Sequence, residues 1–351
     1  MRFEIVTKCL PVVSVVIPAR DEQGHIDACL SQLLKQTYPK ELMEILVVDG
    51  MSTDGTRETV ERFILANGGA NVKLLDNPKG QRASALNTGI RDAAGEIIIR
   101  VDARTIVPRG YVEKCVRALL RSKADNAGGM QAPIVLKSTN PSKELTQRAV
   151  SIALAHPFGI GNAQFRLGGK SGYVDTVYLG CFRREIFDRV GLFNEDAPVI
   201  SEDSDMNYRI RKAGGRVYFD KDIVAYYYPR DTIKDLAKLY FRYGGAKAGN
   251  LLKTKNLTAW RQCVPPLFLI AIIVLGLASI WLDWAEITLA GILGLYLLTD
   301  VLVSAKAAVK EKKRGIFHRL LAVFPALHFP WAMGFFVRLV QRPKPGSYWG
   351  Y

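Results

Sequence analysis

ILVVDGMSTDGTRETVERFILA, residues 45–66, passes from strand to turn to helix within one short unit. Ile45–Val48 is apolar and mostly β-branched, the composition of a strand buried on both faces. Asp49–Gly55 is small and polar, and Thr56–Ala66 then sets Val60, Phe63 and Ile64 on one helical face. The same unit recurs on either side. Upstream, Val12–Ile17 reads as a strand ended by Pro18, and Ile26, Cys29, Leu30, Leu33 and Leu34 repeat at helical spacing as far as the turn at Tyr38 and Pro39. Downstream come a strand at Val72–Leu75, a helix over Ala83–Ala94 and a strand at Ile97–Val101. This alternation predicts an α/β sheet with parallel connections and helices on both faces. Ligands of such sheets bind at the carboxyl ends of strands, which here are Pro18–Glu22, Asp49–Asp54 and Asp102–Arg104. No GxxxxGK[ST] loop occurs, and Gly159, Ile160, Gly161 lacks the spacing of a dinucleotide fingerprint.

The last quarter of the chain has a different character. Val264–Leu282 contains no charged residue and as a helix spans about 28 Å, the thickness of a bilayer core. After the polar turn Asp283–Glu286, Ile287–Ala305 is a second such stretch, broken only by Asp300, which reads as an interfacial group because a basic loop follows it. That loop carries Lys306, Lys310, Lys312, Lys313, Arg314 and Arg319, and the positive-inside rule puts it, and with it the N-terminal part, in the cytoplasm. Leu320–Val337 contains Pro325 and Pro330 and reads either as a third span or as a re-entrant hairpin. The cationic Arg338, Arg342 and Lys344 beyond it favour the hairpin. Residues 232–263 mix Leu236, Tyr240, Tyr243 and Trp260 with seven Lys or Arg, the pattern of a segment lying flat on anionic lipid. Three parts result: 1–231, 232–263 and 264–351.

The chain has 351 residues, 49% of them hydrophobic and 23% charged, which excludes a disordered charged tail. Its net charge of +15 divides into +4 over 1–231, +6 over 232–263 and +5 over 264–351. Charge gathered beside apolar spans points to lipid headgroups rather than to nucleic acid. Five dispersed cysteines without a CxxC pair read as reduced thiols. Glu4 and Lys8 interrupt the apolar character of the N-terminus, so no secretory signal is expected.

Among the strand-end groups, Asp49 and Asp102 suit hydrogen bonding to a base or ribose, or holding a divalent cation against a diphosphate, while Asp54 suits helix capping. Lys79, Gly80 and Arg82 open a helix with positive charge, which is unfavourable unless an anion sits there. Glu202, Asp203 and Asp205 precede Arg209, Arg211 and Lys212, and read equally as a charge-paired helix or as the seat of a general base. His156 reads as a packed side chain.

Taken together, VSVVIPARDE (13–22), ILVVDGMSTDGT (45–56), NPKGQRASALNTGI (77–90), GEIIIRVDAR (95–104), VDTVYLGCFRREIFDRVGLFNED (174–196) and EDSDMNYRIRKAG (202–214) resemble the motifs of glycosyltransferase family 2, the inverting GT-A enzymes, and within it the exopolysaccharide branch that contains succinoglycan glucosyltransferases. The resemblance implies a GT-A domain, a Rossmann-like mixed sheet with helices on both faces, followed by a C-terminal helical membrane domain. It implies that Pro18, Ala19, Arg20, Glu22 and Asp49 hold the base and ribose of a UDP-sugar, with Lys79, Gly80 and Arg82 nearby. Asp102 takes the first place of the family's DxD metal motif, beside Arg104, and Asp203 is the base that activates the acceptor hydroxyl. Glu202, Arg166, Arg242 and Tyr243 are expected on the acceptor side. Arg104 stands where the second Asp usually does, which leaves dependence on Mn²⁺ or Mg²⁺ open. Leu239–Tyr243, LYFRY, replaces the QxxRW of processive members, so transfer of a single sugar is expected. The implied partners are a UDP-sugar donor, a polyprenyl-diphosphate-linked glycan and membrane lipids, with no nucleic acid and with a homo-oligomer left open. The implied location is the inner membrane, multi-pass, with the catalytic domain cytoplasmic. Direct transfer to polyprenyl phosphate is the rival enzymatic reading, and a basic membrane scaffold the non-enzymatic one.

Overall fold

A computed structural model describes residues 10–68, 70–135, 137, 139–195, 202–255 and 260–341. Glu4, Lys8, Cys9, Arg342 and Lys344, read above, lie outside them. The chain forms two compact units, and neither is one continuous stretch.

The first unit comprises residues 1–132, 168–196 and 202–227. Its opening alternates β1 (Val13–Ala19), α1 (Ile26–Leu33), β2 (Met43–Asp49), α2 (Thr56–Ala66), β3 (Val72–Asp76), α3 (Arg82–Asp92), β4 (Ile97–Arg100) and α4 (Tyr111–Ser122). β5 (Asn126–Pro133) follows, and the chain later returns with β6 (Gly172–Tyr173), β7 (Tyr178–Arg183), α8 (Glu185–Val190), α9 (Glu202–Lys212) and β8 (Val217–Tyr227). The eight-stranded sheet has the order β3-β2-β1-β4-β7-β5-β8-β6. β1 pairs in parallel with both β2 and β4, β2 pairs in parallel with β3, and β7 runs antiparallel between β4 and β5. The sheet is therefore mixed. Each strand buries alternate residues on opposite faces: Val13, Val15 and Ile17 join Leu30, Val60 and Val112 in one core, whereas Val16, Leu46 and Ile98 join Leu86, Met206 and Ile210 in the other. Between β1 and β4 the direction of winding reverses. That switch point, at the carboxyl ends of the parallel strands, is where a doubly wound sheet opens a crevice.

The second unit comprises residues 133–167, 197–201 and 228–351. It contains α5 (Pro141–Leu154), α6 (Pro157–Ile160), α7 (Gln164–Leu167), α10 (Ile233–Thr254), α11 (Val264–Ala278), α12 (Asp283–Glu311) and α13 (Ile316–Val340). Where the sequence suggests a boundary at 231, residues 133–167 pack instead with the C-terminal helices. Lys313 Nζ lies 2.7 Å from Glu144, Arg319 Nη2 donates to Ser142 Oγ at 2.6 Å, and His328 Nε2 donates to the Phe158 carbonyl at 2.8 Å. His156 is a packed residue, its Nδ1 accepting from Phe158 N at the start of α6.

Three helices are long and apolar enough to cross a membrane: Trp260–Ala278, Asp283–Glu311 and Ile316–Val340. The first overlaps the span read at 264–282 and ends four residues before it, at Ala278, and the second contains the span read at 287–305. The third differs from the hairpin reading, since α13 runs unbroken through Pro325 and Pro330. Neighbouring helices supply the packing that holds a proline-containing helix together. Asp300 is 1% exposed and accepts from Ser304 Oγ at 2.9 Å. α10 packs one face against α13. A Cβ on Gly244 would come 1.8 Å from the Trp331 carbonyl, and one on Gly334 would come 1.9 Å from the Phe241 carbonyl, so the backbones of α10 and α13 touch. Leu236, Tyr240, Ala246 and Ala248 of α10 are buried as a result.

Candidate active site

The ends of β1, β2 and β3 are knitted into one rim. Gly50 N donates to the Ala19 carbonyl at 2.7 Å, Asn77 N donates to the Asp49 carbonyl at 2.8 Å, and Arg20 Nη1 donates to the Gly80 carbonyl at 3.0 Å. Gly80 has φ +64°, which favours glycine, and a Cβ there would meet Arg20 Nη1 at 2.7 Å and displace the guanidinium lying over it. Asp49 is buried. It accepts from Ser52 Oγ at 2.5 Å and Ser52 N at 3.2 Å, with Arg57 Nη1 at 3.5 Å, and so braces its own turn. Asp54 accepts from Thr56 N at 2.9 Å and from Gln23 N at 3.1 Å, closing the start of α2 and tying it to the β1 loop.

The other half of the site gathers where β4 ends and α9 begins. Arg100 forks onto Asp102, with Nε to Oδ1 at 2.8 Å and Nη2 to Oδ2 at 3.2 Å. The same Nη2 lies 3.1 Å from Oε1 of Glu202, the first residue of α9, and Arg82 Nη1 reaches that oxygen at 3.4 Å. Asp203 follows on the opening turn of α9, half-buried, accepting from Ser204 N at 2.7 Å. Arg104 Nε bonds both oxygens of Glu22, at 2.8 and 2.7 Å. Lys79 Nζ pairs with Glu195 at 2.6 Å, and Glu195 also accepts from Asn87 Nδ2 at 2.8 Å.

These pairings set the charge states. Burial works to raise the Asp102 carboxyl, but the guanidinium of Arg100, with Arg82 behind it, outweighs that and holds it below the usual carboxylate range. Burial likewise opposes the charge on Arg100, and Asp102 and Glu202 overcome it, so the guanidinium holds its proton more tightly than usual. Glu195 is pushed up by burial and brought down further by Lys79 and Asn87. Both carboxylates are therefore ionised at neutral pH.

Of the residues picked from sequence, Arg82, Asp102, Glu202 and Asp203 stand together, Glu22 and Arg104 form one pair, and Ala19, Arg20, Asp49 and Gly80 share the adjoining rim. Pro18 lies within β1, paired in register with Val48. Arg166, Arg242 and Tyr243 belong to the second unit, on α7 and α10. Glu202, expected on the acceptor side, is 3% exposed and held between two guanidiniums. Arg100 and Glu195 were missed. Arg100 had a signal: it is the single charge in IIIRV and lies two residues before Asp102, on the same face of an extended chain.

Among the described residues, no group of three His, Cys, Asp or Glu side chains is placed to hold a metal ion. Asp102 offers one carboxylate, a quarter exposed. That suits a cation carried in by a diphosphate, which takes one or two protein carboxylates and completes its shell with phosphate oxygens, and it does not suit a cage made by protein alone.

A mixed sheet wound in this order, with carboxylates and guanidiniums converging at its switch point, is the GT-A architecture of nucleotide-sugar transferases. The chain belongs to glycosyl transferase family 2, which it matches over residues 14–191. It is 29% identical over 330 residues to the succinoglycan biosynthesis protein ExoA of Rhizobium meliloti, covering 93% of this chain and 94% of that one. It is 27% identical over 268 residues, 76% of this chain and 82% of the other, to a dolichyl N-acetyl-α-D-glucosaminyl phosphate 3-β-D-2,3-diacetamido-2,3-dideoxy-β-D-glucuronosyltransferase of Methanococcus voltae. Among solved structures, a mannosyltransferase of Pyrobaculum calidifontis in complex with GDP-Man and Mn²⁺ shares the fold, with a TM-score of 0.62 at 18% identity over 96% of this chain and 89% of that one.

Proposed function

We propose that this glycosyltransferase moves a hexose from a UDP-sugar to a polyprenyl-diphosphate-linked glycan, one sugar per encounter, in the assembly of an exopolysaccharide or cell-surface glycan. The observation that carries the reading is the sharing of one buried guanidinium, Arg100, between Asp102 and Glu202, which sets the carboxylate meant for the diphosphate beside the turn that bears Asp203. The names of the two relatives, one a succinoglycan biosynthesis protein and the other a transferase to a dolichyl phosphate-linked sugar, support a lipid-linked acceptor.

In this scheme the rim of Pro18, Ala19, Arg20, Glu22 and Asp49 receives the base and ribose. Lys79, Gly80 and Arg82 meet the diphosphate at the start of α3, a helix without a side-chain cap and without an acid in its first turn. Asp203 takes the proton of the acceptor hydroxyl, whose oxygen bonds to the anomeric carbon as the bond from that carbon to the UDP oxygen breaks on the opposite face. An α donor becomes a β glycoside, and UDP leaves with the electron pair. A divalent cation, Mn²⁺ or Mg²⁺, held by Asp102 and the diphosphate oxygens would neutralise the departing UDP. Arg104, paired with Glu22, adds positive charge where the usual second acid is missing.

The lipid end of the acceptor is assigned to the second unit, whose three apolar helices support an inner-membrane, multi-pass location. Arg166, Arg242 and Tyr243 are the acceptor-side groups there. The basic loop after α12 supports a cytoplasmic catalytic domain. The test is UDP release by the detergent-purified protein over a panel of UDP- and GDP-sugars, with a lipid-diphosphate acceptor, with and without EDTA. Release from a UDP-sugar that needs the lipid acceptor and falls with EDTA is expected. Release that is equal with a free soluble sugar contradicts the acceptor, and a GDP-sugar preference contradicts the donor.

A further inference from the structure

Arg100 takes no step in the transfer itself, although the transfer reading rests on where it sits. Its side chain is 6% exposed at the end of β4, so two negative partners are what make its burial tolerable. Three nitrogen-to-oxygen contacts are made: Nε to Asp102 Oδ1, and Nη2 both to Asp102 Oδ2 and to Glu202 Oε1. Only a guanidinium can make this pattern, because it presents a rigid planar fork with several donors, whereas an ammonium is a point charge on a flexible stem.

We infer that Arg100 is a positioning residue with two arms, one holding Asp102 in competition with the nucleotide-borne cation and the other fixing Glu202, and through it the turn of the base Asp203. The inference rests on the transfer reading above and goes beyond it in assigning an occupant to Asp102 before the donor arrives. With both its oxygens on the Arg100 fork, Asp102 gives up part of a charge-assisted pair whenever it turns toward a cation. Cation affinity is therefore set low by the protein, and binding in the absence of diphosphate is suppressed. The second arm is independent of the cation. Glu202 has Arg82 as its other partner, whose Nη1 donates to the same oxygen at 3.4 Å, so Arg100 and Arg82 share the tether on the first turn of α9.

The two arms give opposite signs to two measurements, which a general loss of structure would not do. Arg100→Gln and Arg100→Lys are prepared in the full chain in detergent and titrated with Mn²⁺ in the presence of UDP, following the paramagnetic resonance signal of free Mn²⁺. UDP release is assayed on the same samples. Arg100→Gln removes the competing charge, so Mn²⁺ should bind the UDP complex roughly three- to tenfold more tightly. Turnover should nonetheless fall on the order of 10- to 100-fold, the usual consequence of losing an orienting partner. Arg100→Lys keeps the charge and loses the fork, so it should bind Mn²⁺ with an affinity between those of wild type and Arg100→Gln while still lowering kcat, with the donor KM little changed. Unchanged or weaker Mn²⁺ binding in Arg100→Gln overturns the competition, and wild-type kcat in Arg100→Lys overturns the positioning arm. Should Arg100→Gln not fold, Arg100→Lys alone decides the positioning arm, and Mn²⁺ binding to the wild type without UDP as tight as with it overturns the competing one. Failure of the transfer reading itself is seen earlier, as a wild-type protein that binds no Mn²⁺ with UDP and releases no UDP from any donor, and that result removes the Arg100 proposal with it.

Discussion

Asp102 is charged because Arg100 and Arg82 outweigh its burial, and Glu195 because Lys79 and Asn87 do the same. A carboxyl held below its unfolded value contributes stability that is fully present above the unfolded range, at about pH 4, and is lost as pH falls through the folded value. Urea midpoints of the detergent-solubilised protein should therefore be flat from neutral pH down to about pH 5 and fall steeply below it. A decline that begins above pH 6 would show that other groups govern the acid limb. At this scale the sequence exposes the groups that end strands, Asp49 and Asp102, and the acidic start of α9, because each follows an apolar run or opens a helix. It hides partners. Nothing local ties Arg100 to Glu202 or Lys79 to Glu195, since each pair is made only when distant segments meet at the sheet. For that reason Lys79 reads in the sequence as part of a positive helix start that calls for an anion, and in the fold it pairs with Glu195.

Elements read well where their period is clear. β1 through β4 and α1 through α3 follow from alternating apolar runs and helical spacing, and they form the half of the sheet that carries the switch point. The remaining strands are less legible. β5, NAGGMQAP, has no β-branched residue, and a Cβ on Gly129 would meet the Ile223 carbonyl at 1.9 Å, so its glycines serve close backbone approach rather than propensity. α10 shows the same limit: its lysines are plain in the sequence, whereas the close approach to α13 through Gly244 and Gly245 is not. Gly334→Ala, which drives a Cβ into the backbone of Phe241, should lower stability by roughly 1–3 kcal/mol. Gly291→Ala in α12, where a Cβ would meet nothing within 4 Å, should leave the thermal midpoint unchanged or slightly higher. Equal midpoints for the two variants would contradict the backbone contact between α10 and α13.

The whole molecule joins a transferase unit to a unit built of apolar helices, and the sequence announces that division through the uncharged stretch after Cys263 and the basic excess around it. It does not announce that residues 133–167 leave the first unit and return to it, because the ion pairs that hold them, Lys313 with Glu144 above all, join segments far apart in the chain. The claim on which the account depends is that Asp203, placed beside the Arg100 cluster, removes the acceptor proton while other groups hold the donor. The direct measurement compares wild type and Asp203→Asn for UDP-sugar binding by calorimetry and for UDP release in the presence of a lipid-diphosphate acceptor. The account predicts donor affinity within about threefold of wild type together with a loss of turnover on the order of 10²–10⁴-fold. Turnover within a few fold of wild type, at equal donor affinity, would contradict it.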